Sequence, residues 1–464
     1  MYKRVQRVLK DNVWQLRQTG SFAQNIAVTF SGTAAVALLG FVVSPLMTRL
    51  YDPQSYGLFA VFNAIVSNAS LFSTLGYAPA FVLPRQRKRF LALVQLTLLL
   101  SLVALVCMGL VFGLLHDELL HWLKAEALGR WLYLIPFVVV IYNLNVLMSA
   151  WYLRTKDFRK RAGIDIVTAV AGRSLTLGLG WLGHGPGGLL LGDLFSKLTM
   201  FFSMLFSGIH WQLGELRRSF SWARIRAVAW EYREYPFYVM PTAYLSTLAA
   251  QLPILFLTTG FGAGAVGLYA FSTSLLELPI NLIGNAVYPV FLQKAAELYQ
   301  QEPERLKQIC LELYNKLFYL GLLPFGVITV FGDLIFSFVF GARWEQAGVF
   351  TAYLGYYYVF KLASYATSPM YAVLQRQRVA LLGTGLLVLV RTGSLLLGSK
   401  LHNLNLGMLL FGVSSFVITF LVDMNVLHLL QVPVLRVALR SLLLVAVTFS
   451  LLRGLRTGLE LFFP

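Results

Sequence analysis

About a dozen apolar segments run through this chain, and its basic residues gather in alternate connections between them. The hydrocarbon core of a bilayer is about 30 Å thick and takes roughly 20 apolar residues per helical crossing. Runs of that length recur from Ser21 to Leu452. Only 12% of the residues are charged and 58% are hydrophobic, where a soluble chain carries about 25% charge. Mean hydropathy is +0.69. The fold class that follows is an all-α polytopic membrane protein.

Spans are expected near 22–50, 55–83, 90–115, 131–153, 163–182, 186–209, 236–259, 264–290, 310–331, 347–373, 379–398 and 405–429, about twelve in all. A thirteenth apolar stretch lies near 437–452 and either crosses or lies in the interface. The first segment is too long for the core of a signal peptide and has no clear cleavage site, so it reads as a retained helix.

The net charge of +18 does not point to nucleic acid, because the charge forms no solvated stripe. It sits in short loops, where Lys and Arg set topology. One side takes Lys3, Arg4, Arg7, Lys10 and Arg17, the groups within 85–89, 154–161 and 217–233, then Lys294, Arg305, Lys307, Lys316, Arg376, Arg378, Arg436 and Arg440. The other side takes Arg49, Lys124, Arg130, Arg343 and Lys400. That asymmetry puts the N-terminus in the cytoplasm. Arg453 and Arg456 break the rule if the last stretch crosses.

The chain also repeats itself. Gly57-Leu58-Phe59-Ala60 opens the second span and Gly267-Leu268-Tyr269-Ala270 the eighth. Arg173, Gly180 and His184 recur at the same spacing as Arg391, Gly398 and His402, and the run Gly188 to Gly192 resembles Gly407 to Gly412. Six spans per repeat make both halves enter from the same side, a plan used by transporters. The expected organisation is a six-helix lobe over 1–210, a cytoplasmic linker over 211–235, a second six-helix lobe over 236–430 and a tail over 431–464. Within the linker, Trp222, Ile225, Val228 and Ala229 fall at helical spacing beside Arg218, Arg224 and Arg226, the pattern of an amphipathic surface helix.

Ionisable side chains deep in a span are expensive and mark function or pairing. Arg173, Lys197, Lys361, Arg391 and Glu277 fall near mid-span, and Asp193 lies one turn from Lys197. Asp193 and Lys197 can pair along one helix, and Glu277 can pair with Lys361 or Arg391. Two acids against four bases leave surplus positive charge, suited to an anion such as a phosphate or diphosphate. The four cations are the candidate substrate-binding set. Arg49, Tyr357 and Tyr358 are further candidate contacts, the tyrosines flanking Lys361 where rings can stack on sugars. Glu277 and Asp193 are the candidates for coupling to a proton or sodium gradient. His184 and His402 read as solvated loop residues, and the prolines within spans of the second half as kinks. Cys107 and Cys310 lack any paired spacing, and no metal cluster, catalytic residue set or nucleotide-binding motif is present, so neither a cofactor nor an enzymatic role is expected.

The first span ends in Thr48-Arg49-Leu-Tyr51-Asp-Pro53-Gln-Ser-Tyr56-Gly57-Leu-Phe59-Ala60 and continues to Leu75-Gly-Tyr77-Ala-Pro-Ala-Phe-Val-Leu83-Pro84. This resembles the opening of the polysaccharide-biosynthesis membrane proteins, the oligosaccharide flippases that include Wzx-type translocases. Phe340-Gly341-Ala-Arg-Trp344-Glu-Gln-Ala-Gly348 is similar to an outer-loop motif of the same family. The resemblance implies two six-helix lobes around a central cationic cavity in the bacterial cytoplasmic membrane. It implies translocation of undecaprenyl-diphosphate-linked oligosaccharides by alternating access, alongside the polymerase and glycosyltransferases of the same pathway and the surrounding lipids. It supplies no invariant site residue. Lipid II flippases of the superfamily commonly have fourteen spans, and this chain has one short stretch after the twelfth. The alternatives are a drug or metabolite exporter of the same superfamily and a membrane-embedded polymerase or transferase.

Overall fold

The computed structural model describes residues 22–122, 126–155 and 157–462. The basic N-terminal residues, Lys124 and Lys156 lie outside that set. Helices account for nearly all the described residues, and none of these forms a strand. The helices are α1 (Phe22–Leu50), α2 (Pro53–Thr74), α3 (Arg87–Leu114), α4 (His116–Trp122), α5 (Ile135–Thr155), α6 (Phe158–Trp181), α7 (Pro186–Met204), α8 (His210–Arg218) and α9 (Trp222–Glu231). They continue as α10 (Met240–Gln301), α11 (Pro303–Phe340), α12 (Glu345–Val373), α13 (Gln377–Lys400), α14 (Leu404–Leu429) and α15 (Val434–Phe462).

Eleven helical segments among the described residues are long and apolar enough to cross a membrane. Three differences separate this from the dozen expected, the first being that the thirteenth apolar stretch qualifies, as Val434–Leu461. The seventh and eighth spans merge in α10, whose 62 residues correspond to about 93 Å of helix, some three bilayer cores. Gly262 breaks it, with φ 82° and ψ 176°, a conformation open to glycine. The tenth expected span, α12, does not qualify by composition. Its sequence carries six tyrosines, Lys361 and several hydroxyl residues, and most of that polar surface turns inward against other helices.

The described chain divides into two compact units. One comprises the described part of Met1–Tyr51 together with Leu58–Leu252, the other Asp52–Gly57 with Pro253–Pro464.

In the first unit α6 packs on α7 and on α1. Close helix approach without a large hydrophobic driving force relies on small residues. A Cβ on Gly172 would meet Ser196 Cβ at 2.6 Å and one on Gly32 would meet Ala162 Cβ at 2.8 Å. Tyr51 is 1% exposed. Its ring fills the space left by Gly180 and Gly188, and its hydroxyl donates to the Thr176 carbonyl at 2.6 Å. A second cluster joins α3, α5 and α9 through Phe90, Trp151, Tyr152, Met204, Ile225 and Val228. Of the face expected for the surface helix α9, Ile225 and Val228 are buried there, whereas Trp222 is exposed. Arg89 pairs with Glu231 at 3.0 Å and Arg87 with Glu215. Arg154 donates to the Pro84 carbonyl at 2.6 Å. Residues read as topology signals therefore also tie α8 and α9 to the helices beside them.

In the second unit α12 lies along α11 and α14. Gly332 and Gly348 bring α11 and α12 together, and a Cβ on Gly348 would sit 2.2 Å from the Gly332 carbonyl oxygen. A Cβ on Gly412 of α14 would meet the Tyr353 carbonyl oxygen at 2.0 Å. Two motifs of the family resemblance meet here: the Tyr56 ring packs edge-on against Trp344 at 5.0 Å and Phe271 at 5.6 Å. Trp344 is fully buried.

The last apolar stretch is part of α15, which follows α11 in parallel. Arg440 lies over the Tyr319 ring at 5.3 Å, Thr448 and Leu452 lie against Gly326, and Arg456 reaches Asp333 at 2.7 Å and the Val330 carbonyl at 2.6 Å. Contacts that advance together on both helices put α15 at the depth of α11, so a crossing α11 carries α15 with it. Of the two charges that broke the topology rule, Arg456 is neutralised by Asp333 and Arg453 is exposed.

Replacing Gly348 by leucine should lower the thermal midpoint of the purified protein, since overpacking costs typically about 1–3 kcal/mol and here the obstruction is backbone. Gly109→Ala, where nothing lies within 4 Å, should leave it level or raise it. Equal midpoints for the two variants would contradict the seam between α11 and α12.

Candidate functional site

The charged cluster of the second unit is built on four helices, α14 contributing Phe411 and Ser415. α12 presents Tyr357, Tyr358 and Lys361, α10 presents Tyr269 and Glu277, and α13 presents Arg391. On α12 the spacing of 357, 358 and 361 puts these side chains on one face, one turn apart. Lys361 is ion-paired with Glu277, and each side chain is about 30% exposed. The Tyr358 hydroxyl donates to the same carboxylate oxygen at 3.1 Å. The Lys361 ammonium also lies 5.1 Å from the Tyr358 ring centroid and 5.9 Å from that of Tyr357.

Arg391 has no carboxylate partner among the described residues. Its Nε donates to Ser415 Oγ at 2.7 Å. Its guanidinium lies between two rings, 5.0 Å from Tyr357 and 4.9 Å from Phe411, within the range of cation–π attraction. Tyr269 stands edge-on to Phe411 at 6.2 Å. The cluster therefore holds two cations against one carboxylate, with aromatic walls. Such a site can take an anion: guanidinium offers paired donors to phosphate oxygens and ammonium a point charge.

The first unit holds its charges apart. Asp193 and Lys197 pair with each other on α7, and Asn145 of α5 donates to the Lys197 carbonyl at 2.9 Å. Arg173 on α6 lies against Gly40 of α1, where a Cβ would come within 2.6 Å of Nη2. Its Nη1 is buried without a hydrogen-bond partner. Among the described residues no hydrogen bond or ion pair joins Arg173 to the Asp193–Lys197 pair. Arg49 lies exposed in the last turn of α1.

The structure thus gathers Lys361, Arg391, Glu277, Tyr357 and Tyr358 in one place and Asp193 with Lys197 in another. Three contributors escaped the sequence reading. Tyr269 was marked by the repeated Gly-Leu-aromatic-Ala motif. Phe411 and Ser415, four apart on α14, carry no signal distinguishing them from other apolar and small residues. A fourth omission, Asp423, is 1% exposed and accepts hydrogen bonds from Ser364 and Thr367. Its place inside an apolar span was the signal that could have found it. No group of His, Cys, Asp or Glu among the described residues is arranged to hold a metal ion.

Fold and cluster define a polytopic α-helical membrane protein of transporter architecture. Its sequence matches the model of the polysaccharide biosynthesis protein family over residues 46–348, and the chain belongs to that family. It is similar to the succinoglycan biosynthesis transport protein ExoT of Rhizobium meliloti (strain 1021), 20% identical over 309 residues. That match covers 67% of this chain and 60% of the relative, less than two thirds of the latter's length. Among solved structures, the fold is similar to the lipid II flippase MurJ in an inward closed conformation, with TM-score 0.64 and 13% identity, over 93% of this chain and 99% of that one. It is also similar to an inward-facing multidrug resistance MATE family transporter of the MOP superfamily, with TM-score 0.61 and 16% identity, over 90% and 98%.

Lys361→Met strands the Glu277 carboxylate and should destabilise the detergent-purified protein by about 1.5–3 kcal/mol, the range for a hydrogen bond to a charged group. The double variant with Glu277→Gln should recover most of that loss in a thermal melt. A double variant no more stable than the single would contradict a direct pair.

Proposed function

We propose that this protein is a flippase, translocating undecaprenyl-diphosphate-linked oligosaccharide units across the bacterial cytoplasmic membrane for surface polysaccharide assembly. The observation that carries the reading is the surplus positive charge of the Lys361–Glu277–Arg391 cluster, walled by Tyr357, Tyr358 and Phe411. Family membership supports the pathway, and the fold supports movement of a substrate across a bilayer.

In this reading the diphosphate competes with Glu277 for Lys361. Glu277 occupies Lys361 in the absence of substrate, so the cation is never left without an anion in a poorly solvated place. An arriving phosphate takes over the ammonium and meets the Arg391 guanidinium, already oriented by Ser415 and two rings. Protonation of Glu277, or a sodium ion bound to it, would release Lys361 and link substrate binding to an ion gradient. Asp193 and Lys197 offer the same exchange in the first unit. Arg173 supplies a further cation and Arg49 an exposed one. The N-terminus is cytoplasmic, and the polymerase and glycosyltransferases of the pathway are the partners. An exporter of organic cations fits less well, since the Lys361–Glu277–Arg391 cluster, with its surplus positive charge, repels that cargo.

Neutralising two cations, Lys361→Met with Arg391→Met, should abolish glycan export while the protein inserts normally, and diphosphate-linked glycan should accumulate on the cytoplasmic leaflet. The exchange Lys361→Arg with Arg391→Lys keeps both charges and should retain part of the export. Normal export by the neutralised variant would contradict the assignment.

A further inference from the structure

The second unit buries one more carboxylate, and the cation cluster does not use it. Asp423 on α14 is 1% exposed. Ser364 Oγ on α12 lies 2.9 Å from both of its oxygens, and Thr367 Oγ1 donates to Oδ1. Among the described residues no basic side chain pairs with it. Cys310 and Tyr314 of α11 and Tyr371 of α12 are the titratable groups within its electrostatic reach. Among the described residues, no charged side chain of α13 or α15 forms a hydrogen bond or ion pair with it.

An ionised carboxylate in this place lacks the partner that normally offsets the loss of water, a penalty of several kcal/mol even after relaxation. Glu277, Asp193 and Asp333 each have such a partner. The hydrogen-bond count points the same way. Ser364 Oγ is also 2.9 Å from the Phe360 carbonyl, and a hydroxyl has one hydrogen to give. If Asp423 is ionised, Ser364 must choose between two acceptors. If Asp423 carries a proton, its O–H donates to Ser364 Oγ, Ser364 donates to Phe360, and Thr367 donates to the carboxyl oxygen left as acceptor. Every partner is then satisfied.

We propose that Asp423 is a further site, besides Glu277 and Asp193, at which this protein binds and releases a proton, held as a neutral acid while α12 and α14 are closed on each other. Ser364 is one turn along α12 from Lys361, so a movement of α12 that changes the cation cluster also separates Ser364 and Thr367 from Asp423. Water then enters, the carboxyl O–H bond breaks, the proton passes to water and a hydrated carboxylate remains. The route is short, since Asp423 lies six residues before the end of α14 at Leu429, about 9 Å of helix. The proposal rests on the transport reading above and adds to it a carboxyl group, apart from the Lys361–Glu277 exchange, that carries a coupling proton.

Infrared difference spectroscopy of the purified protein tests it without any substrate. The expected result is a protonated-carboxyl C=O band at neutral pH that disappears in Asp423→Asn and persists in Glu277→Gln. Thr367→Val, which removes one donor and preserves shape, should move that band to higher wavenumber; it also identifies the band if Asp423→Asn does not fold. Absence of the band in the unaltered protein, or its indifference to both α12–α14 variants, overturns the proposal. Asp423→Asn should also lose glycan export. Normal export by that variant overturns the coupling role, whereas a glycan pool indifferent to the whole protein overturns the transport reading and leaves the infrared result standing.

Discussion

The contact between Lys361 and Glu277 is the one around which the second unit is arranged. Neither group is tolerable alone at that depth, and together they fix α12 against α10. With that register set, Tyr358 closes on the carboxylate, and Tyr357 is placed to receive Arg391 from α13. The glycine seams make this possible. Gly332, Gly348 and Gly412 let α11, α12 and α14 approach to backbone contact, and a polar helix such as α12 is held only where its neighbours come close enough to satisfy it.

The two units carry the same elements in different arrangements. Of the ionisable groups near mid-span, each unit pairs a lysine with a carboxylate, Lys197 with Asp193 and Lys361 with Glu277, and holds an arginine, Arg173 or Arg391, with no carboxylate partner among the described residues, the two standing at equivalent places of the internal repeat. Arg391 is boxed between Tyr357 and Phe411 and held by Ser415. Arg173 faces Gly40 with a buried nitrogen unpartnered, and the pair of its unit sits on another helix. The repeat relates the two arginines, whereas the lysine–carboxylate pairs stand at unrelated positions, one along a single helix and one between two. The aromatic α12, which has no counterpart of similar composition in the first half, gives the second unit its compact cluster of two cations, one carboxylate and aromatic walls. The motifs that mark the family do other work: Tyr51, Tyr56, Trp344 and Gly348 pack helices together and touch none of the cluster.

Helical class and approximate spans were legible because a bilayer imposes length and apolarity on every crossing segment. The same rule hid what matters most. The helix α12 alone among the long helices is not apolar enough to count as a span, since its polar groups are satisfied by protein, whereas the Gly262 break in α10 falls in the gap expected between 236–259 and 264–290. That Lys361, Arg391 and Glu277 were exceptional was readable from their positions. Which cation Glu277 meets was not, because the partners are far apart in sequence and helix rotation is undetermined by periodicity. Asp423 went unread for a related reason. Its neighbours Ser364 and Thr367 are ordinary residues until the fold places them on its carboxylate. The last helix resolved differently: Arg456 looked like a violation of topology, and its pairing with Asp333 turns the anomaly into a bond between α11 and α15.

The central claim is that this chain moves a diphosphate-linked glycan from one leaflet to the other. The measurement that tests it most directly is the lipid-linked glycan pool in cells lacking the protein, divided by leaflet with a membrane-impermeant sugar-modifying reagent. The account predicts diphosphate-linked oligosaccharide accumulating on the cytoplasmic leaflet, beyond the reagent's reach. A pool of normal size, exposed to the reagent as in unaltered cells, would contradict it.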